Sequence, residues 1–318
     1  MAAQSESPVL GFVVGMSRAG TTWMARALGS HLDVVAFGET QYWGKKYRSP
    51  EGDVYARDEV QHIIEEIPGS ILSQEEGTSL QKILEDRAVS NLAERASPKA
   101  LFDRISRAAA AQEGKSSAVE KTPHHVNHLD RIAEAYPEAR FIVMARAPYD
   151  FMLSYKHQGD RKPKAVRQEF KSLYHPIGCA LVYRGYAQSI QSALRQYPDR
   201  TLLVTLDEVK SDAGSALATA QRFLGIEPSA PVSPPSNSSF PGERSPSLAP
   251  EDLFWMNAMA AREIQTLGYE TRGSSISLSS AVRSLARVPP WALRAFSKLW
   301  SQSPNPVRYA AQWLFPGR

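Results

Sequence analysis

Apolar residues along this 318-residue chain follow two rhythms, short continuous runs and longer stretches with apolar positions every three or four residues. The short runs Val9–Val14, Val34–Phe37, Ser117–Glu120, Arg140–Ala145 and Thr201–Leu206 read as buried strands. Thr22–Gly29, His124–Tyr136 and Ser211–Leu224 read as helices, the last stopped by Gly225. Residues 54–113 alternate apolar and charged positions at helical spacing, as at Leu80, Ile83 and Leu84 or Leu101 and Ile105. They predict helices that cover one face or lip of the sheet. Pro250–Leu267 predicts a final core helix, ended by Gly268. Strands that alternate with helices predict an α/β fold with a mostly parallel central sheet flanked by helices.

Residues 228–250 contain prolines at 228, 231, 234, 235, 241, 246 and 250, and predict an extended loop or lid. Past residue 270 the composition shifts to Ser, Arg and Trp. The expected organisation is therefore a catalytic domain over 1–270 and a helical tail over 271–318.

Between the first strand and helix lies Gly15-Met-Ser-Arg18-Ala19-Gly20-Thr21-Thr22-Trp23. A glycine-rich turn here aims several backbone N–H groups at one point, at the positive end of a helix dipole, which makes a phosphate cradle. The spacing of Gly15 and Gly20 copies the phosphate loop of nucleotide-binding proteins, so the three-layer fold is expected to be P-loop-like. The residue after Gly20 is Thr21, where a kinase or NTPase needs Lys to reach the β- and γ-phosphates. The basic residue stands inside the loop, as Arg18. This reads as a loop that holds a phosphate without handling a triphosphate.

A second element is Arg146-Ala-Pro-Tyr-Asp150-Phe-Met-Leu-Ser154. Arg146 ends a strand, where α/β sheets place ligand-binding groups. Ser154 is expected in the first turns of a helix that starts near Pro148. Together they can hold a second phosphate, the Arg acting as a planar charged fork. Taken singly, each residue has a plainer reading. Arg146 could pair with Asp150, Ser154 could satisfy helix backbone, Trp23 could be core, Lys121 could be solvent-exposed, and Glu39 could be a cap.

Three motifs thus stand in order: Gly15-x-x-Arg18-Ala-Gly-Thr-Thr-Trp23, then Glu120-Lys121-Thr122-Pro123, then Arg146-x-Pro-x-Asp150-x3-Ser154. The combination resembles the sulfotransferases that use 3′-phosphoadenosine 5′-phosphosulfate (PAPS). The resemblance spans residues 9–270, with Leu202–Val209 similar to the family's late strand ending in an acidic pair. It implies that Arg18, Ala19, Gly20, Thr21 and Thr22 line the donor's 5′-phosphosulfate and that Trp23 lies beside the adenine. It implies that Arg146 and Ser154 bind the 3′-phosphate and that Lys121 sits near the bridging oxygen or sulfonate. Sulfuryl transfer, by analogy with phosphoryl transfer, is an in-line displacement through a loose transition state. Arg18 and Lys121 would stabilise the charge that grows on the leaving oxygen. A sulfonate carries less charge than a γ-phosphate, so no metal is expected.

The acceptor, a hydroxyl on a small molecule, lipid or glycan, needs a general base. Glu39, in Phe37-Gly-Glu-Thr40, resembles the segment that supplies a catalytic Glu in the tyrosylprotein and heparan-type branches. His124 is the second candidate. It lies one residue beyond the place where the cytosolic branch has its catalytic His, a place held here by Pro123. Glu39 is preferred. The alternative functions are an atypical P-loop kinase or NTPase, against which Thr21 stands, and a non-catalytic nucleotide-binding or membrane-docking protein.

His124, His125 and His128 also raise a metal site, but no Cys or second cluster completes a ligand set, and a helix beside the active site is the preferred account. The run from Lys156 to Arg167, including Arg161, predicts a solvated loop. With 42% hydrophobic residues the chain can bury a large core, and its one cysteine, Cys179, excludes an internal disulfide. No apolar run is long enough for a membrane span or a secretory leader, and a cytoplasmic protein is expected. The net charge of +4 is uneven: residues 271–318 carry seven basic and no acidic residues, which leaves 4 − 7 = −3 for the rest. Residues 281–300, followed by Tyr309, Trp313 and Phe315, interleave aromatic and basic positions. Such a helix can lie in a membrane interface as a peripheral anchor, or can pack on the body or a second subunit. Its basic residues are too dispersed for nucleic acid.

Overall fold

The computed structural model describes residues 7–46, 54–72, 78–86, 95–160, 162–228, 233, 235, 247–302 and 307. The first half contains β1 (Val9–Gly15), α1 (Thr21–Gly29), β2 (Val34–Gly38), a π-helical turn (Tyr42–Lys46), α2 (Arg57–Glu66) and β3 (Ser70–Ile71). Then come α3 (Leu80–Asp86), α4 (Pro98–Gln112), β4 (Ser117–Lys121), a 3-10 segment (Pro123–His128), α5 (Leu129–Ala135) and β5 (Arg140–Ala145). The second half contains α6 (Pro148–Lys156), α7 (Lys164–Ser172), α8 (Pro176–Gln196), a short 3-10 turn (Pro198–Arg200) and β6 (Thr201–Thr205). It ends with α9 (Leu206–Ser211), α10 (Ala213–Leu224), α11 (Pro250–Thr266), α12 (Leu278–Ala286) and α13 (Val288–Gln302).

The strands form one sheet in the order β3-β2-β4-β1-β5-β6. All neighbours run parallel except the edge pair β2–β3. Helices flank the sheet, as the alternating pattern predicts. β1 is central, and its Phe12, Val13 and Val14 are fully buried. Phe12 stacks on Phe102 of α4 at 5.9 Å, and Tyr42 and Trp43 close on the same ring at 5.1 and 5.5 Å. This aromatic cluster fixes the segment after β2 against the core, which matters for the site below.

The observed elements depart from the sequence pattern in several places. The long α8 has no counterpart in that pattern, because its apolar residues are interrupted by Gly178 and Gly185 and spread around the helix. It is buried through Ala180, Tyr183, Tyr186, Ala187 and Ile190, and packs mainly on α11. The expected helix at His124 begins as a 3-10 segment, because His125 is held back onto β4. Lys156–Arg167 is not one loop: a short turn leads into α7 at Lys164. Arg161 lies outside the described residues, as do Pro231, Pro234, Pro241 and Pro246 of the proline-rich segment. Asp207 and Glu208 lie in α9, where Thr205 and Glu208 form a capping box.

The tail is two helices rather than one. Trp291 donates its indole N–H to Leu173 O at 2.9 Å and lies against Gly178. Lys298 pairs with Glu169, and the buried Ser284 bonds Glu251. The tail therefore docks on the body through α7, the start of α8 and the start of α11. Arg308, Tyr309, Trp313 and Phe315 lie outside the described residues. Among the described residues no helix is long and apolar enough to cross a membrane.

Candidate active site

Four parallel strands, β1, β2, β4 and β5, end at the same edge of the sheet, and each leads into expected site residues. β1 delivers the 15–23 loop, β2 delivers Glu39, β4 ends on Lys121, and β5 leads into Arg146.

The loop is built by its backbone. Gly15 has φ +119, and a Cβ there would collide with the Met144 carbonyl oxygen, so only glycine fits against β5. Arg18, at φ 69, is held in the left-handed region that L-residues avoid. Gly20 starts α1 with no side-chain cap, and the first turn of the helix carries no acidic residue. The leading N–H groups of α1 are thus left facing the loop, which suits an anion. Thr21 is buried and Thr22 exposed. Trp23 is half-buried and donates its indole N–H to Ser233 O at 2.9 Å.

The structure brings Arg18, Arg146 and Ser154 together. Arg18 Nε donates to Ser154 Oγ at 3.1 Å, and Arg146 Nη1 donates to the Arg18 carbonyl at 2.8 Å. Ser154 is fully buried in the second turn of α6, which starts at Pro148 as expected. Arg18 therefore leans toward the Arg146–Ser154 end of the loop. Arg146 is buried, and its Nε has no hydrogen-bond partner. Burial pulls its guanidinium below the ordinary value, with Arg18 adding to the shift and Asp150 and Asp207 opposing it. An anion bound here would supply the missing acceptor and offset the desolvation.

At the other end, Glu39 and Lys121 form an ion pair. Gly38 sets this up: a Cβ there would strike the Lys121 carbonyl, so glycine lets β2 close on β4. Glu39 N then donates to Lys121 O at 2.7 Å, and Glu39 turns out at φ 61. The Lys121 side chain is 2% exposed and that of Glu39 is 49% exposed, so the lysine is fixed while the carboxylate faces the opening. Among the described residues, the three non-glycine residues with positive φ are Arg18, Glu39 and Gln41. All lie just past β1 or β2, the kind of local strain that gathers at functional sites.

Beneath this pair lies a buried network that the motifs do not announce. Glu120 is fully buried between Val119 and Lys121. Its Oε1 accepts from Thr40 Oγ1 at 2.8 Å and Thr122 Oγ1 at 2.5 Å, and its Oε2 faces His125 Nδ1 at 3.0 Å. The Trp43 backbone N–H donates to His125 Nε2 at 3.2 Å. That nitrogen must carry a lone pair, so the ring is neutral with its proton on Nδ1, donated to Glu120. Burial pushes the Glu120 carboxyl upward, but His125 and the hydroxyl hydrogen bonds outweigh it and hold the group below the ordinary carboxylate value. The carboxylate thereby ties Thr40, next to Glu39, to Thr122, next to Lys121.

His124 points elsewhere. Its Nδ1 meets Tyr186 Oη at 2.8 Å, and the two rings stack. Tyr186 Oη in turn meets Ser17 Oγ of the loop at 2.7 Å. His124 is thus tied to the phosphate loop rather than to the Glu39–Lys121 pair. His124 stands apart from the other two histidines, which both come close to Gly44, His125 through its ring edge while its Nδ1 faces Glu120. Among the described residues no three His, Cys, Asp or Glu side chains form a metal cluster. Sequence reading gave no role to Ser17, Thr40, Glu120, Thr122, His125 and Tyr186. Ser17, Thr40, Glu120 and Thr122 stood inside the quoted motifs, whereas Tyr186 carried no signal.

Comparison with known proteins bears on the family and the fold. A nodulation protein, NoeE of Sinorhizobium fredii, is 26% identical over 159 residues, 48% of this chain and 32% of that protein. The match thus spans about a third of that relative's length. The sulfotransferase domain from the curacin biosynthetic pathway overlays with TM-score 0.50 at 14% identity, covering 83% of this chain and 98% of that one. It shows the shared fold. A sulfotransferase from Alicyclobacillus acidocaldarius overlays with TM-score 0.48 at 18% identity, over 84% of this chain and 97% of its own. The sulfotransferase family model matches residues 11–230, more than half of the 318 and enough to take in the loop, Glu39, Lys121, Arg146 and Ser154. The chain belongs to the sulfotransferase family.

Proposed function

We propose that this chain transfers a sulfuryl group from PAPS to a hydroxyl on a small molecule, lipid or glycan, with residues 1–270 as the catalytic unit. The observation that carries this reading is the pair of charged stations at opposite ends of one cradle. The buried Arg146, with its unpartnered Nε, stands with Arg18 and Ser154 at one end. The Lys121–Glu39 pair stands at the other. A donor with phosphates at two positions matches this layout better than a triphosphate does.

In this reading the Gly15–Thr22 backbone, Thr21 and Thr22 hold the 5′-phosphosulfate. Arg146, Ser154 and Arg18 hold the 3′-phosphate, and Trp23 flanks the adenine. When bound, the donor supplies an activated sulfuryl group on a good leaving group. Lys121, fixed by burial, places its ammonium where negative charge develops, at no reorganisation cost during reaction. Glu39, half exposed at the opening, accepts the acceptor hydroxyl's proton on its carboxylate. Glu120 holds Thr40 and Thr122 and so keeps the two reacting groups in place.

The test is turnover with PAPS and a panel of hydroxyl acceptors, read as release of adenosine 3′,5′-bisphosphate. Glu39→Gln should abolish turnover and keep binding of the bisphosphate, while His124→Ala should retain most of the rate. The reverse pattern would make His124 the base. A kinase reading requires turnover of ATP–Mg²⁺ instead.

A further inference from the structure

The tail's docked side leaves an apolar face outward. Leu278 is 81% exposed, Leu293 74% and Trp300 63%, with Val282, Leu285 and Phe296 also exposed. These are not scattered. Residues 278, 282, 285, 289, 293, 296 and 300 follow one another in steps of three or four. Arg287, between the two helices, is itself in the helical region, and Trp291 N bonds back to Arg287 O at the start of α13. Residues 278, 282 and 285 therefore share one face of α12, and 289, 293, 296 and 300 share one face of α13. The docked residues Ser284, Trp291 and Lys298 occupy the opposite side. Arg283, Arg287 and Arg294 are exposed, Arg287 and Arg294 at the groove between tail and body that Glu251 and Asp252 also line, and residues 271–318 hold no acidic side chain.

We propose that the outward face of α12 and α13 docks on an anionic lipid surface. Three sectors support this occupant over another protein. These faces of Leu, Val, Phe and Trp can enter the headgroup–acyl boundary. The exposed Arg283, Arg287 and Arg294 are long enough to reach anionic headgroups beside these faces. The lack of any acid in the segment removes the repulsion that an anionic surface would otherwise meet. Residues 1–270 carry a net −3, so the chain's basic excess is concentrated in the tail. This inference is independent of the chemistry assigned to the cradle.

The experiment is flotation of the full chain with phosphatidylcholine vesicles, with or without phosphatidylglycerol, at low and high salt. Binding is expected only with the anionic vesicles and is expected to fall with salt. The triple substitution Leu285→Gln, Phe296→Gln, Trp300→Gln touches only exposed side chains, and should cut partitioning by about tenfold or more. It should leave Tm and bisphosphate binding unchanged. Failure of the full chain to float, or equal flotation of the triple variant, overturns the proposal. So does a vesicle-independent dimer that the triple variant dissolves, which would assign these faces to a second copy of the chain.

Discussion

Replacing Glu120 by Gln tests the buried network beside the Glu39–Lys121 pair. The substitution keeps shape and removes one charge. The Gln carbonyl can still accept from Thr40 and Thr122, but these bonds lose their charge assistance. The Gln amide then faces His125 Nδ1–H, a donor against a donor. Moving the histidine proton to Nε2 only shifts the conflict, because that nitrogen faces the Trp43 N–H. One buried donor is unpaired either way. Hydrogen bonds to charged groups are worth about 1.5–3 kcal/mol each, and an unsatisfied buried donor costs about 1–3 kcal/mol. The net loss is about 3–5 kcal/mol, the sum of the weakened charge-assisted bonds and one unpaired buried donor. At roughly 2 °C per kcal/mol for a chain of this size, Tm should fall by roughly 6–10 °C. The pH dependence should change as well. Glu120 is held below the ordinary value, so the folded chain binds its proton less readily than the unfolded chain does. Its contribution is complete above about pH 4.3 and is lost as pH falls through the lower folded value. The wild type should therefore lose Tm more steeply than Glu120→Gln in that acidic window. Calorimetry across pH, with ¹⁵N NMR for the His125 tautomer, reads both. An unchanged Tm, or a His125 protonated on both nitrogens at neutral pH, would refute the reasoning.

Other predictions follow from the same geometry. Gly15→Ala forces a Cβ into the Met144 carbonyl at φ +119. It should remove bisphosphate binding and lower Tm, measured by calorimetry with and without ligand. Arg146→Lys keeps a charge but loses the planar fork and the free Nε, and should weaken bisphosphate binding by about tenfold or more by titration calorimetry. Equal affinity would show that the buried guanidinium does not hold the second phosphate. Gly38→Ala should spare donor binding and lower kcat, because it parts Glu39 from Lys121.

The sheet and the location of the site were legible because continuous apolar runs mark parallel strands, and such sheets place their ligand groups at strand ends. The loop could be read from Gly15 and Gly20, and Arg146 from its place after β5. What escaped was set by long-range partners. Ser154 lies in α6 as expected, but its bond to Arg18 of a distant loop is made only by the fold. Glu120 reads in sequence as one more strand residue, and only the fold brings Thr40 and His125 to it. The helix α8 escaped because it is buried on more than one side and so lacks a single apolar stripe. The tail showed its composition in sequence, but its division into docked and outward faces needed the positions of Trp291 and Ser284.

The central claim is that the cradle is built for a nucleotide with phosphates at two positions. Its most direct test is the thermal stabilisation of the full chain by adenosine 3′,5′-bisphosphate compared with ATP–Mg²⁺. A ligand at 100 times its Kd stabilises the native state by about 2.7 kcal/mol through mass action. The account predicts a clear upward Tm shift with the bisphosphate, lost in Arg146→Ala, and little response to ATP–Mg²⁺. A larger shift with ATP–Mg²⁺, or none with the bisphosphate, would contradict it.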